Sequence, residues 1–418
     1  MAGVDVYEGI RILDFTQLEQ GPSGTQVLAD FGAEVIKVER VDVGEIGRSG
    51  RMRMPTGWTP HWAANNRNKK SLSLDLKNPQ AMNLVRSLVR QVDIVASNFR
   101  PGVMERLGLG HEELRQINPR IISAYASGYG RTGPYRARRG QDLAAQAIGG
   151  VMAMSGTPDR PSPVGTYAID YLAAMHFAQG MMLALAARER TGCGQVVDTS
   201  LLNSAVALHL QEGTEYLNDG VVPHRAPLGI AHPGASALYG QYRAADGKWL
   251  VLIAEYFIDQ PWDRVCAALE LDESIRLDDR FTDDAARASN TEACQRAIQD
   301  GIEKFDREEA IARFEAEDVL VAPVLEYDEL FVDPQVVHNG MVLEYHHERA
   351  GLMRMVGMPV RLSATPGRPR LPPPTVGEHN EQLLTELGLT EAQIAALQAE
   401  GAVGAENVRR LSGQGDSW

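Results

Sequence analysis

Residues 10–40 read IRILDFTQLEQGPSGTQVLADFGAEVIKVER and contain two apolar runs with a helical pattern between them. The runs Ile10–Phe15 and Glu34–Val38 are short and mostly apolar, which predicts strands. The segment Ser23–Phe31 ends at Gly32, as a glycine-capped helix does. Two strands joined through one helix are typical of a parallel sheet. This stretch therefore predicts an α/β fold.

The same alternation continues along the chain. The further predicted elements are strands at Asp93–Phe99 and Ile121–Ala126 and helices at Asn78–Gln91, Ile169–Arg190 and Leu201–Leu217. The helix at Ile169–Arg190 is rich in alanine, leucine and methionine, which predicts burial on several faces.

The pattern changes at Leu238. Two apolar runs, Leu238–Ala244 and Lys248–Ile253, flank Asp246-Gly247, a pair that accepts positive φ and predicts an antiparallel hairpin. The preceding residues 221–237 are rich in proline and glycine and are predicted to be a linker or an ordered loop. A second, smaller domain is therefore predicted over residues 238–330.

Composition excludes several classes of protein. The chain has 418 residues, 44% of them hydrophobic and 23% charged, with a net charge of −14, which argues against nucleic-acid and anionic-membrane binding. Its three cysteines fit neither a disulfide framework nor a zinc cluster, so a reducing cytoplasm is predicted. No apolar run reaches the ~20 residues of a membrane span.

Charge is unevenly distributed along the chain. Residues 1–140 hold 20 Lys and Arg against 14 Asp and Glu, and residues 141–418 hold 21 against 41. A basic first third in an acidic protein indicates a small polyanionic ligand, although a chance surface fluctuation would give the same count.

Generic catalytic motifs are missing from the sequence. It has no Walker loop, no Gly-x-Gly-x-x-Gly after the first strand, no nucleophile elbow and no zinc-peptidase histidine pair. The adjacent His346-His347 lies in a charged stretch and is predicted to be solvated. No metal site is predicted.

One carboxylate stands out by its position. Asp170 is the only acid between Asp159 and Glu189, and it opens a strongly apolar helix. An acid in a first turn stabilises the helix dipole, which is one interpretation. A carboxylate held there can also be a covalent nucleophile toward an activated substrate, which is the other.

An ordered set of short motifs resembles the family III CoA-transferases over essentially the whole chain. The motifs are LDFT at 13–16 with GP at 21–22, LADFGAEVIKVER at 28–40, NKKS at 68–71, LDLK at 74–77, NFRPG at 98–102, RLG at 106–108, NPR at 118–120, GYG at 128–130 with GPY at 133–135, ERTGCGQ at 189–195 and GEHN at 377–380.

The resemblance implies an activity for Asp170. In that family the aspartate at this helix start attacks an acyl-CoA thioester, giving a mixed anhydride and then an aspartyl-CoA thioester that an incoming carboxylate discharges. Helix N-terminal amides near Asp170 are expected to supply part of the oxyanion site. The substrates implied are an acyl-CoA and a free carboxylic acid, with coenzyme A entering as a substrate and no other cofactor.

The resemblance also implies an architecture. A large Rossmann-like parallel-sheet domain is expected from both chain ends, 1–220 and 331–418, with a smaller α+β domain at 238–330. The family forms interlocked homodimers, and the same assembly is expected for this chain.

Contacts to CoA are implied for the basic first third. The residues expected around adenosine and the phosphates are Arg40, Leu74 to Lys77, Asn98, Phe99, Arg100, Arg106 and the cluster Arg136, Arg138 and Arg139. Gln17 and Glu19 match loop residues that face the thioester in the family, and Gln141, Gly229 and Gly234 are also expected in loops that face the substrate. Each basic residue has the alternative of being a solvated surface charge, and Gln17 and Glu19 have the alternative of forming a polar turn.

A second hypothesis within the same fold is that the chain is an epimerase similar to the α-methylacyl-CoA racemases. The α-methylacyl-CoA racemases resemble this chain but carry a His-Asp pair where it has Gln141-Asp142. Glutamine takes no proton at neutral pH, so the substitution favours transfer over epimerisation. A catalytically inactive CoA-binding subunit is a third possibility, disfavoured by the presence of Asp170.

Two loops bear on the acceptor acid. Gly229-Ile230-Ala231-His232-Pro233-Gly234 corresponds to a glycine-rich lid of oxalate-using relatives, and its proline is expected to stiffen it. Arg48, Arg51 and Arg53 offer guanidinium groups for a second carboxylate of a dicarboxylic acid, or form a solvated basic loop.

Overall fold

The computed structural model describes residues 5–405 except 42, 51, 55, 56, 256, 257, 349 and 350. Its strands are β1 Arg11–Asp14, β2 Glu34–Glu39, β3 Lys69–Ser73, β4 Ile94–Ser97, β5 Ile122–Ser127, β6 Gly156–Thr157, β7 Arg160–Pro161, β8 Val196–Ser200, β9 Tyr239–Arg243, β10 Trp249–Ile253, β11 Leu320–Pro323, β12 Val342–His347 and β13 Gly351–Val356. Its α-helices are α1 Gln20–Asp30, α2 Pro60–Asn65, α3 Pro79–Val89, α4 Val103–Arg106, α5 His111–Ile117, α6 Asp142–Ile148, α7 Val151–Met154, α8 Ala168–Thr191, α9 Leu201–Ala207, α10 Leu210–Asp219, α11 Pro261–Ala268, α12 Glu273–Arg276, α13 Asp284–Ser289, α14 Thr291–Ile302, α15 Arg307–Ala316, α16 Tyr327–Leu330, α17 Pro334–His338, α18 Asn380–Glu386 and α19 Glu391–Ala399, with a 3₁₀ helix at Ile46–Ser49.

Six strands form one parallel sheet in the order β3-β2-β1-β4-β5-β8, which confirms the predicted α/β class. The order reverses at β1, because β2 and β3 lie on one side of it and β4 and β5 on the other. In doubly wound folds, ligands bind beyond the carboxyl ends of the strands at this switch point. The β1–β4 boundary is therefore the place to look for a site.

Alternate side chains of the sheet pack on its two faces. Ile12 joins Phe177 of α8 in one apolar cluster, and Leu13 joins Val85 of α3 in another. Helix α8 buries only one face, since Tyr171 and Leu183 are 48% and 63% exposed. The prediction of burial on several faces is wrong for the chain taken alone.

The chain divides into two compact units. One contains the described residues up to 149, residues 166–208 and the described residues from 335 on; the other contains residues 150–165 and 209–334. The sequence analysis placed its first boundary at residue 220 and a linker at 221–237, whereas those residues lie inside the second unit.

The second unit holds a three-stranded antiparallel sheet in the order β11-β10-β9. Its hairpin β9–β10 confirms the turn predicted at Asp246-Gly247. The single helix predicted over Leu201–Leu217 is instead two helices, because His209 has a ψ of 47° that breaks the helical path between α9 and α10.

A buried charge network lies under the loop that follows β1. Lys69 Nζ is 3.1 Å from Asp14 Oδ2 and donates to the Pro22 carbonyl and the Thr25 hydroxyl, each at 2.9 Å. Lys37 lies 3.9 Å from Asp14 and donates to the Thr16 carbonyl. Burial alone would raise the pKa of Asp14, but the two lysines lower it to about 2. These interactions anchor the loop to three strands.

Candidate active site

The predicted site residues gather past the carboxyl edge of the parallel sheet. Gln17 and Glu19 follow β1, Arg40 follows β2, Leu74 and Lys77 follow β3, Asn98, Phe99 and Arg100 follow β4, and Arg139 follows β5. Loops at this edge of a doubly wound sheet are neighbours, so the topology brings the segments together. Arg106 ends α4, which begins six residues after β4 ends.

The side chains of the predicted CoA-binding residues differ in their exposure to solvent. The charged side chains of Arg40, Lys77, Arg100, Arg106 and Arg139 are all exposed. Asn98 and Phe99 are half-buried, and Leu74 is 1% exposed with its side chain in the core. Leu74 therefore offers a ligand only its backbone.

Asp170 lies in the first turn of α8, as predicted, and is half-buried. The buried carboxylate of Asp142, in the first turn of α6, reaches across to this turn. Its Oδ1 accepts from the backbone N–H of Ile169 at 2.8 Å and of Asp170 at 3.0 Å. Gln146 Nε2 donates to Oδ2 at 2.5 Å. Asp142 thus fixes the backbone that carries Asp170.

The amides of this helix end are already occupied. Asp142 takes two of them, Ala168 donates to the Thr166 carbonyl at 2.9 Å, and Tyr171 donates to the Tyr167 carbonyl at 3.1 Å. The expectation that they serve a developing oxyanion is wrong in this conformation, because a backbone N–H bound to a buried carboxylate is not available to a ligand.

Glu19 and His61 lie near the same carboxylates. His61 Nδ1 is 3.8 Å from Glu19 Oε2, and the His61 ring meets Tyr167 edge-on at 6.2 Å. Burial, followed by the charge of Asp142, raises the pKa of Asp170 to about 7. Burial, followed by Asp170 and Asp142, raises the pKa of Glu19 to about 7. Burial lowers the pKa of His61.

Gln141 and the passage 229–234, both predicted to face the substrate, lie in different units of the chain. Gln141 is exposed and precedes α6 as its N-cap residue. In the second unit, the Gly229 carbonyl accepts from Gln241 N at 2.7 Å, and Ala231 N donates to the Tyr239 carbonyl at 3.0 Å. Gly234 N donates to His232 Nδ1 at 3.2 Å. In this conformation the passage from Gly229 is paired with β9.

Neither interpretation of the basic loop, a carboxylate grip or a solvated surface, describes Arg48. Arg48 makes two hydrogen bonds to buried Glu39, both 2.7 Å, and its guanidinium lies 3.4 Å from the centre of the Trp62 ring. Arg53 donates to the carbonyls of Arg48 and Gly57. Arg51 lies outside the described residues. Arg48 is not placed to grip an acceptor carboxylate, because its Nε and Nη2 are bonded to Glu39 and its guanidinium lies against Trp62.

The histidine pair also differs from its prediction. Strand β12 turns His346 to solvent and buries His347, whose ring lies 4.8 Å from Trp58. Among the described residues, no group of three or more His, Cys, Asp or Glu side chains is placed to hold a metal ion. No helix in the described part of the chain is long and apolar enough to cross a membrane.

The sequence analysis missed two parts of the site. His61 lies in a short helix without a motif, and the role of Asp142 depends on a contact with residues 27 and 28 positions away. The sequence pointed to Asp142 only as part of the Gln141-Asp142 pair, and the place of Asp142 in the first turn of α6 was not predicted.

The raised pKa values set an expected pH dependence. If Asp170 is the nucleophile that the resemblance implies, it attacks only when ionised, and the acid limb of kcat/KM is then expected near pH 7, far above the pKa of an ordinary aspartate. Activity rises with pH through this limb, and the apparent pKa belongs to Asp170 and Glu19 together. Initial rates between pH 5 and 9 measure it; a limb near pH 4 would contradict the burial of Asp170.

Replacing Asp142 with asparagine separates its charge from its hydrogen bonds. Asp142→Asn keeps an oxygen for the amides of Ile169 and Asp170 and removes the negative charge. The acid limb is expected to move down by about one pH unit, with kcat above the limb changed less than about fivefold. Asp142→Ala, which also loses the acceptor, is expected to lower kcat by about 10²-fold. An unchanged limb in Asp142→Asn would contradict this charge coupling.

Comparison with known proteins adds independent findings. The family described as CoA-transferase family III matches residues 7–380. Over 95% of its length the chain is 35% identical to the succinyl-CoA–D-citramalate CoA-transferase of Chloroflexus aurantiacus, covering 98% of that protein. Over 92% it is 32% identical to the succinate–glutarate CoA-transferase of Agrobacterium fabrum, covering 96% of it. A crystal structure of a CAIB/BAIF family protein from Brucella suis has a TM-score of 0.82 and 28% identity over 92% of the chain and 99% of that structure.

Proposed function

Because the chain belongs to CoA-transferase family III and is a CoA-transferase, we propose that it moves coenzyme A from an acyl-CoA to a free organic acid through covalent intermediates on Asp170. The observation that carries this proposal is the first turn of α8. A half-buried carboxylate stands there on a backbone held by Asp142, at 2.8 and 3.0 Å. A fixed nucleophile is what a weak carboxylate needs to attack a thioester.

The proposed reaction proceeds in balanced steps. The Asp170 carboxylate attacks the thioester carbon, the C–S bond breaks, and CoA leaves as a thiolate beside a mixed anhydride. The thiolate then attacks the aspartyl carbonyl carbon, which releases the donor acid as a carboxylate and leaves an aspartyl-CoA thioester. The acceptor carboxylate reverses both steps and leaves as its CoA thioester. The reaction consumes no net proton or electron, so it needs no redox cofactor, and none of the proposed steps uses a metal.

In the proposed reaction, Asp142 acts on Asp170 through its charge, and Glu19 shares a proton with Asp170. The charge of Asp142 raises the pKa of Asp170, which makes the ionised form more basic and a better nucleophile once the proton has gone. Burial, followed by the charges of Asp170 and Asp142, raises the pKa of Glu19 to about 7, so Glu19 and Asp170 together hold a proton near neutral pH.

The acceptor is proposed to be a dicarboxylic acid. The two relatives are named for succinate or succinyl-CoA together with citramalate or glutarate, all of them dicarboxylic. Since Arg48 is committed to Glu39, the second carboxylate requires another cation at the edge of the sheet.

We also propose a homodimer of the interlocked type, acting in the reducing cytoplasm that the cysteines favour. Helix α10 has no buried residue, and its Leu210 and Leu217 are 78% and 81% exposed. Leu183 of α8 is 63% exposed. Large apolar side chains so exposed are typical of surfaces covered by another protein, and a second copy is the simplest cover. Light scattering of the purified chain tests the dimer.

The test of function uses succinyl-CoA with a panel of free dicarboxylic acids. Transfer gives a new acyl-CoA and free succinate in equal amounts. The racemase alternative predicts instead exchange of the α-proton of a 2-methylacyl-CoA in deuterated solvent, without a new thioester. An inactive subunit gives neither product and forms no hydroxamate at Asp170 when hydroxylamine is added with acyl-CoA. Either of these last two results would overturn the proposal.

A further inference from the structure

The loop after β1 and the segment after β4 are joined by a reciprocal pair of hydrogen bonds. Asn98 Oδ1 accepts from Gln17 N at 2.7 Å, and Asn98 Nδ2 donates to the Gln17 carbonyl at 2.7 Å. One side-chain amide thereby satisfies both backbone groups of Gln17. The two partners lie 81 positions apart in the sequence.

The contact extends to the residues on either side. Phe15 N donates to the Ala96 carbonyl at 2.8 Å. The rings of Phe15 and Phe99 lie 6.5 Å apart at an interplanar angle of 59°, a favourable tilted pair. A shift of Phe99 therefore acts on the start of the loop as well as on Gln17.

The loop Gln17–Glu19 contains a strained backbone conformation that contacts from other segments stabilise. Leu18 has a φ of 62°, in the left-handed region that non-glycine residues rarely adopt. Its N–H donates to buried Glu45 at 2.9 Å. Asn98 on one side and Glu45 on the other thus maintain a strained turn, and Glu19 follows it directly.

We propose that Asn98 is a positioning residue that couples CoA bound at Phe99 and Arg100 to the loop Gln17–Glu19 beside Asp170. This inference rests on the proposed function. Because the Asn98 amide bonds both backbone groups of Gln17, its part is to transmit the position of its neighbours to the loop. When the coenzyme holds Phe99 and Arg100, the loop Gln17–Glu19 takes the position in which Asp170 attacks the thioester.

The experiment compares Asn98→Ala with Asn118→Ala. Asn118 is a matched control, because its amide also bridges backbone groups, with Nδ2 reaching the carbonyls of Val89 and Val92 at 3.3 and 3.0 Å. Hydrogen exchange of the peptide covering residues 15–20 is measured with and without CoA, and calorimetry gives the Kd of CoA. Kinetics with succinyl-CoA give kcat and KM.

In the wild type, CoA is expected to slow exchange in residues 15–20. In Asn98→Ala that slowing is expected to disappear while the Kd of CoA stays within about threefold, and kcat falls by about 10²-fold with KM little changed. Asn118→Ala is expected to keep the slowing and kcat. If Asn98→Ala is unstable, Asn98→Asp fills the same space, keeps the acceptor for Gln17 N and loses the donor, and the same loss of slowing is expected.

Three results would overturn the inference. They are a tenfold weaker Kd for CoA with kcat retained, which makes Asn98 a CoA contact; unchanged slowing in the Asn98 variants; and no slowing in the wild type. The exchange measurement does not depend on turnover. A wild type that shows the slowing but transfers no CoA would therefore refute the proposed function and leave the coupling supported.

Discussion

Replacing Asp170 with alanine is expected to lower kcat for CoA transfer by about 10⁴-fold or more. Asp142 is not expected to replace Asp170 as the nucleophile. Both of its carboxylate oxygens accept hydrogen bonds, from Ile169, Asp170 and Gln146. Loss of a nucleophile that forms the intermediate removes the whole pathway and leaves only binding effects. Steady-state assays with succinyl-CoA and the best acceptor measure it.

A matched control distinguishes chemistry from folding. Asp159→Ala removes an exposed carboxylate eleven positions upstream and is expected to keep kcat within about twofold. Asp170→Asn, which keeps the size of the side chain, is expected to be as inactive as Asp170→Ala with an unchanged melting temperature. A loss of less than tenfold in either Asp170 variant would exclude covalent catalysis at this residue.

Replacing Lys69 with methionine is expected to lower the free energy of unfolding by about 3–5 kcal/mol, the cost of breaking a buried ion pair. Lys69 and Asp14 are both fully buried and 3.1 Å apart. Methionine fills the volume of the lysine stem but leaves Asp14 with Lys37 as its neighbouring cation, at 3.9 Å, and with the hydrogen bonds from Thr16 and Thr25. Urea titration followed by circular dichroism measures the change.

Lys70→Met is the control for this prediction. Lys70 is the next residue of β3, and its amino group contacts Glu34 at 2.6 Å near the surface, with the lysine side chain 19% exposed. Because solvent reaches this pair, it contributes less than the buried one, and a loss below about 1 kcal/mol is expected. Equal losses for the two lysines would contradict a special role for the buried network.

The fold was largely predictable where strands were apolar. Runs such as Ile10–Phe15 and Glu34–Val38 became β1 and β2, and the helix between them became α1. Strand β3 was not predicted because it begins with two lysines. Lys69 is buried because its amino group pairs with the Asp14 carboxylate, which a pattern of apolar residues does not reveal. Its burial depends on a partner 55 positions away.

The site was predictable in part. Asp170 could be singled out because it is a lone acid at the start of an apolar helix, and the glycines and arginines of the motifs indicated the loops. The contacts of Asn98 with Gln17, of Asp142 with the first turn of α8 and of His61 with Glu19 could not be predicted. Each contact joins segments that are far apart in the sequence and meet only in the folded protein.

The most direct test of the central claim is intact-protein mass spectrometry after incubation with succinyl-CoA, followed by peptide mapping. The account predicts a protein heavier by one CoA less one water, with the adduct at Asp170, absent from Asp170→Ala and discharged by one acceptor acid. A wild-type enzyme that transfers CoA without any adduct at Asp170, or an adduct that persists in Asp170→Ala, would contradict it.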